Sequence, residues 1–137
     1  MKIIIFGYGN LGKALANHAI SNNYNTLIVS RQKIDHDDLT FITIEKFNSL
    51  INNLSNFCLI STIPPNEQQE DFVLSNINSK AIANAKKIIY VSCNPSTQAR
   101  DTQILQSHNY ELNKLSVVDM FPHTPHVETV GIFEKSK

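Results

Sequence analysis

The sequence predicts an α/β fold, in which a mainly parallel sheet carries helices on both faces. Apolar runs of five to seven residues recur along the chain, as expected for strands buried on both faces. Segments with helical periodicity separate these runs, which is the pattern of βαβ units. A glycine-rich turn follows the first run directly. With 137 residues, the chain is long enough for a single domain, predicted to span residues 1–137.

Composition and charge narrow the possible partners and compartments. The formal net charge is zero, so the chain as a whole does not attract a phosphate backbone, which argues against tight RNA binding by this chain alone. Its two cysteines, Cys58 and Cys93, do not form a disulfide framework, which favours a reducing compartment. We see no signal peptide and no apolar run of membrane-spanning length. We therefore expect a cytoplasmic protein without a membrane partner.

The N-terminal segment has the pattern of a nucleotide-binding loop. Residues 2–6 form a buried strand, and Gly7, Gly9 and Gly12 follow as G-x-G-x-x-G at the start of a helix. The first two glycines allow a tight turn and close approach of a phosphate, and the third allows close packing of the helix. The amides at the helix N-terminus favour an anionic group.

The end of the second predicted strand leaves the choice of nucleotide open. Residues 25–29 form this strand, and Ser30 and Arg31 stand where an NAD-binding unit places an acidic residue for the ribose. Arginine at this point suits a 2′-phosphate, so this half of the chain alone favours NADP. A tight strand–helix junction with a solvated Arg31 is the purely structural alternative.

The remaining elements follow from periodicity and turn residues. Cys58 is predicted to be a small core residue, Pro64 to end a strand at the ligand-binding edge of the sheet, and Ser96 to cap a helix. We predict a loop at 34–38, strands at 39–44, 57–63, 87–93, 111–120 and 128–133, and helices at 45–54, 67–86 and 97–106.

Two C-terminal segments carry a specific resemblance. The sequences VSCNPSTQARD (91–101) and DMFPHTPHVETV (119–130) resemble the two C-terminal signatures of the RNA 5-methyluridine methyltransferases, including the 35-residue interval from Cys93 to Glu128. The resemblance covers about residues 87–135. It implies a class I methyltransferase-like, Rossmann-like sheet with an antiparallel C-terminal strand, and S-adenosylmethionine (SAM) as cofactor.

The resemblance also implies a covalent mechanism. Carbon 5 of uracil is a poor nucleophile, and a thiolate that adds to carbon 6 makes carbon 5 reactive toward the methyl group of SAM. A base then removes the proton from carbon 5, and elimination frees the thiol. By resemblance, Cys93 is the nucleophile and Glu128 is the base.

Other features depart from the family or favour another function. The turn containing Gly7, Gly9 and Asn10 is similar to the family's SAM loop, but Ile63 replaces the aspartate of an Asp-Pro-Pro-Arg motif. The chain is therefore predicted to be a shortened or degenerate methyltransferase-like domain, with RNA binding supplied by a partner protein. The alternatives are an NADP-binding protein of reductase or epimerase type and a catalytically inactive nucleotide-binding protein. No metal site is expected.

Overall fold

The computed structural model describes residues 1–31, 39–63, 79–120, 122–124 and 127–136. In these ranges the strands are β1 (Lys2–Phe6), β2 (Thr26–Val29), β3 (Thr40–Ile42), β4 (Phe57–Ser61), β5 (Lys87–Ser92), β6 (Tyr110–Val118) and β7 (Glu128–Lys135). The helices are α1 (Asn10–Ser21), α2 (Ile44–Leu50), α3 (Ser79–Asn84) and α4 (Pro95–Ser107), and a 3₁₀ turn covers Ile51–Asn53. The predicted loop at 34–38, Pro64 and the first part of the 67–86 helix lie outside the described residues.

The strands form one sheet in the order β3-β2-β1-β4-β5-β7-β6. The first five strands are parallel, whereas β7 pairs antiparallel with both β5 and β6. This topology confirms the predicted mainly parallel sheet with an antiparallel C-terminal strand. Because the parallel strands all end at the same edge, the loops that follow them meet there.

Both faces of the central strands are buried, as the apolar runs predict. On β1, Ile4 and Phe6 belong to one hydrophobic cluster and Ile5 to the cluster on the opposite face. Cys58 lies in the second cluster, which confirms its prediction as a core residue. Side chains alternate between the two faces of a strand, so a run that is apolar throughout fits only a sheet covered on both sides.

The glycine turn connects β1 to α1 at close range. Gly7 has a φ of +97°, in the region that favours glycine, and a Cβ there would lie 2.9 Å from Thr62 Oγ1. A Cβ on Gly12 would lie only 3.0 Å from the carbonyl carbon of Gly7 and closer still to its oxygen. The first turn of α1 can therefore lie against the Gly7 peptide only because residue 12 has no side chain.

Two helix starts differ from simple expectation. Helix α4 begins at Pro95, and its cap is Asn94, so the prediction of Ser96 as the capping residue is wrong. Asn94 Oδ1 accepts hydrogen bonds from two first-turn amides, at 3.0 and 3.2 Å, and Pro95 occupies the first helical position, where no amide is needed. Helix α2 begins at Ile44 with Thr43 as its cap.

Several strands are shorter than their apolar runs. The predicted strand 39–44 is confined to Thr40–Ile42 because Ile44 opens α2, and the predicted strand 57–63 ends at Ser61. The predicted strand 111–120 runs from Tyr110 to Val118 instead. Across the ranges that the structure describes, no helix has both the length and the apolar composition needed to cross a membrane.

Replacement of Gly12 by alanine is expected to destabilise the fold. Alanine is the better helix former by about 1 kcal/mol, but its Cβ would meet the Gly7 peptide, and such overpacking costs about 1–3 kcal/mol. We expect a net loss in the free energy of unfolding, measured by urea denaturation. Gly9→Ala is the matched control, because a Cβ there meets nothing within 4 Å. Equal effects of the two substitutions would contradict the packing role of Gly12.

Candidate active site

Several predicted site residues share the carboxyl edge of the sheet. Gly7 follows β1, Ser30 follows β2 and Cys93 follows β5, and these three strands run in the same direction. Glu128 is the first residue of antiparallel β7, so it lies at this edge as well. The fold therefore gathers the glycine turn, the end of β2 and the Cys93–Glu128 pair along one side of the molecule.

Cys93 and Glu128 are each adjacent to the last described pair of β5 and β7. Ser92 is paired with Thr129, and continuing this antiparallel register by one residue places Cys93 opposite Glu128. Neighbouring strands lie roughly 4.8 Å apart, and opposite residues point to the same face. Cys93 is exposed and Glu128 is half-buried, so both side chains can be reached by a bound molecule.

The backbone beside Cys93 is fixed on both sides. Ser92 Oγ donates a hydrogen bond to the Asn94 carbonyl at 3.0 Å and accepts one from the Asn94 amide at 3.1 Å. Asn94 then caps α4, which begins at Pro95. In the motif Cys-Asn-Pro, Asn94 and Pro95 turn the chain from β5 into α4, and Cys93 lies at this turn.

A buried polar cluster lies between α4 and β5. The Tyr90 hydroxyl donates to Asp101 Oδ2 at 2.9 Å, and Arg100 forms an ion pair with Asp101 Oδ1 at 3.2 Å. Burial raises the pKa of Tyr90, and the charge of Asp101 raises it further, so the phenol remains a hydrogen-bond donor at neutral pH. The cluster holds α4 against β5, the strand that leads to Cys93.

Gln98 and Thr129 are two further polar residues that sequence reasoning did not identify. Gln98 Nε2 donates to the Tyr90 carbonyl at 3.0 Å and makes a long 3.5 Å contact with the Thr129 carbonyl. Thr129 Oγ1 donates to the Ser92 carbonyl at 3.0 Å. The available signal was periodicity, since Gln98 and Asp101 occupy the same helical face as a buried leucine.

At the other end of the edge, the three glycines play different roles. Gly7 and Gly12 are explained by backbone conformation and packing, whereas a Cβ on Gly9 would point into open space. Gly9 caps α1 without a side-chain hydrogen bond, and the first turn of α1 contains no acidic residue. Asn10, the first helical residue, is exposed. The N-terminus of α1 thus has room for an anionic group.

The predicted contacts beyond the glycine turn are less complete. The Ser30 amide donates to the Ile42 carbonyl at 3.1 Å, and Arg31 is exposed. Ile63, which replaces an acidic residue of the family motif, is partly buried against the main hydrophobic cluster. Pro64, predicted to contact a cofactor, lies outside the described residues.

The C-terminal sequence matches a known family. Residues 74–137 match the family model described as tRNA (uracil-5-)-methyltransferase. This segment is similar to that family. The match contains both signature segments and confirms the resemblance drawn from Cys93 and Glu128.

Relatives of known description support the same family and also show how much shorter this chain is. A 23S rRNA (uracil(1939)-C(5))-methyltransferase of Vibrio campbellii is 52% identical over 60 residues, or 44% of this chain and 14% of the relative. The Acinetobacter baylyi enzyme of the same description is 59% identical over 51 residues, or 37% and 11%. An RNA methyltransferase of Fusobacterium nucleatum is 41% identical over 86 residues, or 63% and 18%. The chain therefore spans less than a fifth of the length of each of these three relatives.

Solved structures agree on the fold. The TrmK protein of M. capricolum, in complex with S-adenosyl-homocysteine, superimposes with a TM-score of 0.64 and 15% identity, covering 100% of this chain and 63% of that one. A human methyltransferase 10 domain containing protein gives a TM-score of 0.64 at 10% identity, with coverages of 99% and 72%. At these identities the likeness concerns the fold alone, and it confirms the class I methyltransferase-like sheet.

Thiol labelling should distinguish the two cysteines. Burial raises the pKa of Cys58 to about 11, so at pH 8 its thiolate fraction is roughly 0.1%. We expect iodoacetamide to modify only Cys93 in the folded protein at pH 8, as read by mass spectrometry. The modification of Cys58 should increase as the pH rises toward 11.

The control for this labelling is Cys93→Ala, which should take up no label at pH 8 until urea unfolds it. Labelling of both cysteines at equal rates in the folded wild type would contradict the assigned burial.

Proposed function

We propose that this chain is the cofactor-binding and catalytic part of a SAM-dependent RNA (uracil-5-)-methyltransferase. The observation that supports the proposal is the β5–β7 register, whose last pair, Ser92 with Thr129, directly adjoins Cys93 and Glu128 within the segment that is similar to that family. The substrate class is uridine in RNA.

Each residue of the pair has a defined chemical role in this proposal. The Cys93 thiolate forms a bond to carbon 6 of uracil, and the electron pair of the former double bond makes carbon 5 nucleophilic. SAM, when bound, supplies the methyl group that carbon 5 takes up. The Glu128 carboxylate then accepts the carbon 5 proton, and the carbon 6–sulfur bond breaks to release the thiolate.

The glycine turn is the proposed site for SAM. The carboxylate of the methionine moiety fits the open space beside Gly9, at the N-terminus of α1, where no side chain caps the helix. In the sheet, β1 and β5 are separated by β4, so the glycine turn and Cys93 lie roughly 10 Å apart across the edge. Asn10, Ser30 and Ile63 border this space in the proposal.

Among the described residues that directly follow β2 and β4, none is an acidic partner for the ribose. Ser30 and Arg31 follow β2, and Ile63 follows β4, so neither place offers a carboxylate to the ribose hydroxyls. We therefore propose that SAM binds weakly to the isolated chain.

We propose that a partner protein binds the RNA. The formal net charge of the chain is zero. A binding surface with few excess cations does not gain the counterion release that dominates RNA affinity. The partner would bind the RNA backbone and present a single uridine to Cys93.

The NADP alternative depends on Arg31, which is exposed at the end of β2. The relatives and structures named above are described as methyltransferases, and their descriptions lend no support to a nicotinamide cofactor.

Direct titration separates the two cofactors. We expect calorimetry to detect SAM or S-adenosylhomocysteine binding and no NADPH binding. Gly9→Leu should abolish SAM binding by filling the open space, while thermal unfolding confirms that the variant remains folded. NADPH binding that Arg31→Ala removes, without a SAM response, would refute the proposed cofactor.

A covalent adduct tests the nucleophile and the base. With 5-fluorouridine RNA and SAM, Cys93 should form a stable adduct because a base cannot remove fluorine as it removes a proton. Cys93→Ala should form none. Glu128→Gln should lower methyl transfer to ordinary uridine by about 10²–10⁴-fold and accumulate an adduct even there.

The adduct experiment uses a short single-stranded RNA at high concentration, so that a missing RNA-binding partner does not limit the encounter. The matched cysteine control is Cys58→Ser, which keeps a small side chain in the core and should leave adduct formation unchanged. An adduct that survives Cys93→Ala would rule out Cys93 as the nucleophile.

A further inference from the structure

The buried side-chain amide of Gln98 contacts two neighbouring strands. It is 4% exposed, and its Nε2 lies 3.0 Å from the carbonyl of Tyr90 on β5 and 3.5 Å from the carbonyl of Thr129 on β7. These carbonyls lie close to the carboxyl end of β5 and the first residues of β7. A buried primary amide costs free energy unless it is hydrogen-bonded, so its presence here indicates a specific role.

The opposite strand is shaped around this side chain. Gly131 is paired with Tyr90, and a Cβ on Gly131 would lie 3.4 Å from Gln98 Nε2 and 2.8 Å from the ring of Phe133. Because residue 131 is a glycine, the Gln98 amide can lie against the surface of β7. Glycine in a strand interior often marks such a close approach.

Thr129 adds a second connection at the same place. Its hydroxyl donates to the Ser92 carbonyl at 3.0 Å, so a side-chain hydrogen bond supplements the backbone pairing next to Cys93. Both residues are buried, at 3% exposure for Thr129 and 2% for Ser92. Gln98 and Thr129 together join β5 to β7 behind the Cys93–Glu128 pair, on the face covered by α4.

The other edge of β7 pairs with β6. A register shift between Leu112 and Lys114 lies at Phe133 and Ile132, and the pairing then continues to Val118 and Glu128. Because β6 fixes Glu128 only within β7, the register of Glu128 relative to Cys93 is set by the pairing of β7 with β5, which is continuous from Ser92 to Lys87. A one-residue slip there would turn Glu128 to the opposite face of the sheet.

We infer that Gln98 is a positioning residue that keeps Glu128 opposite Cys93. It acts through the Tyr90 and Thr129 carbonyls and does not touch the substrate. This inference rests on the proposed function for its meaning, but the geometry that it asserts can be measured without methyl transfer.

The measurement uses Glu128→Cys as a distance probe in the full chain. The new thiol and Cys93 should form a disulfide with oxidised glutathione, and the equilibrium with glutathione gives their effective concentration. Cys58 is buried and does not compete. In this background, Gln98→Met removes the amide while keeping an unbranched side chain of similar length.

We expect Gln98→Met to lower the effective concentration roughly fivefold, as the loss of about one net hydrogen bond implies. Gln103→Met is the matched control on the exposed face of α4 and should change nothing. Each variant is measured well below its unfolding midpoint, so a loss of global stability alone cannot produce the effect. If Gln98→Met does not fold, Gln98→Asn replaces it with a shorter amide and the same expectation.

An unchanged effective concentration in the Gln98 variant would overturn the inference, and so would the failure of Glu128→Cys to pair with Cys93. The proposed function fails separately, if wild-type protein forms no adduct with 5-fluorouridine RNA. With an active protein, Gln98→Met in the wild-type background should lower the rate of proton removal from carbon 5 more than the rate of adduct formation, because the amide fixes the base relative to the nucleophile.

Discussion

The antiparallel pairing of β5 with β7 is the constraint on which the candidate site depends. Cys93 and Glu128 are far apart in sequence, and no described hydrogen bond or ion pair joins their side chains directly. Their proximity comes from strand register, which is discrete, because a shift by one residue moves a side chain to the other face. The buried hydrogen bonds of Gln98 and Thr129 are therefore placed where an error in register would matter most.

Local features of the sequence predicted most of the fold. The apolar run at β1, the glycine turn and the start of α1 are contiguous, so each follows from the conformational needs of neighbouring residues. The sequence analysis placed the cap of α4 at Ser96 instead of Asn94, and both side chains can accept amide hydrogen bonds. Pro95 decides between them, because proline suits the first helical position, directly after a cap.

The supporting contacts of the site could not be predicted in the same way. The hydrogen bonds of Gln98 reach residues on two strands, and one of them lies 31 positions away. Gly131 leaves room for the Gln98 side chain because β7 lies between β5 and β6, and this strand order is a property of the whole sheet. A polar residue on the buried face of a helix was visible in the sequence, but its partners were not, because they are backbone carbonyls that every residue type provides.

The glycine motif carries less functional information than its length indicates. Gly7 is required by its positive φ and Gly12 by its contact with the Gly7 peptide, so the fold alone accounts for two of the three glycines. Only Gly9 is left for a ligand to explain, and an open space at a helix N-terminus does not distinguish SAM from NADP. The distinction comes from the C-terminal segment, whose similarity to the tRNA (uracil-5-)-methyltransferase model favours SAM. The N-terminus of α1 thus provides room for an anionic group, and the segment that contains β5 and β7 favours SAM as the molecule that carries it.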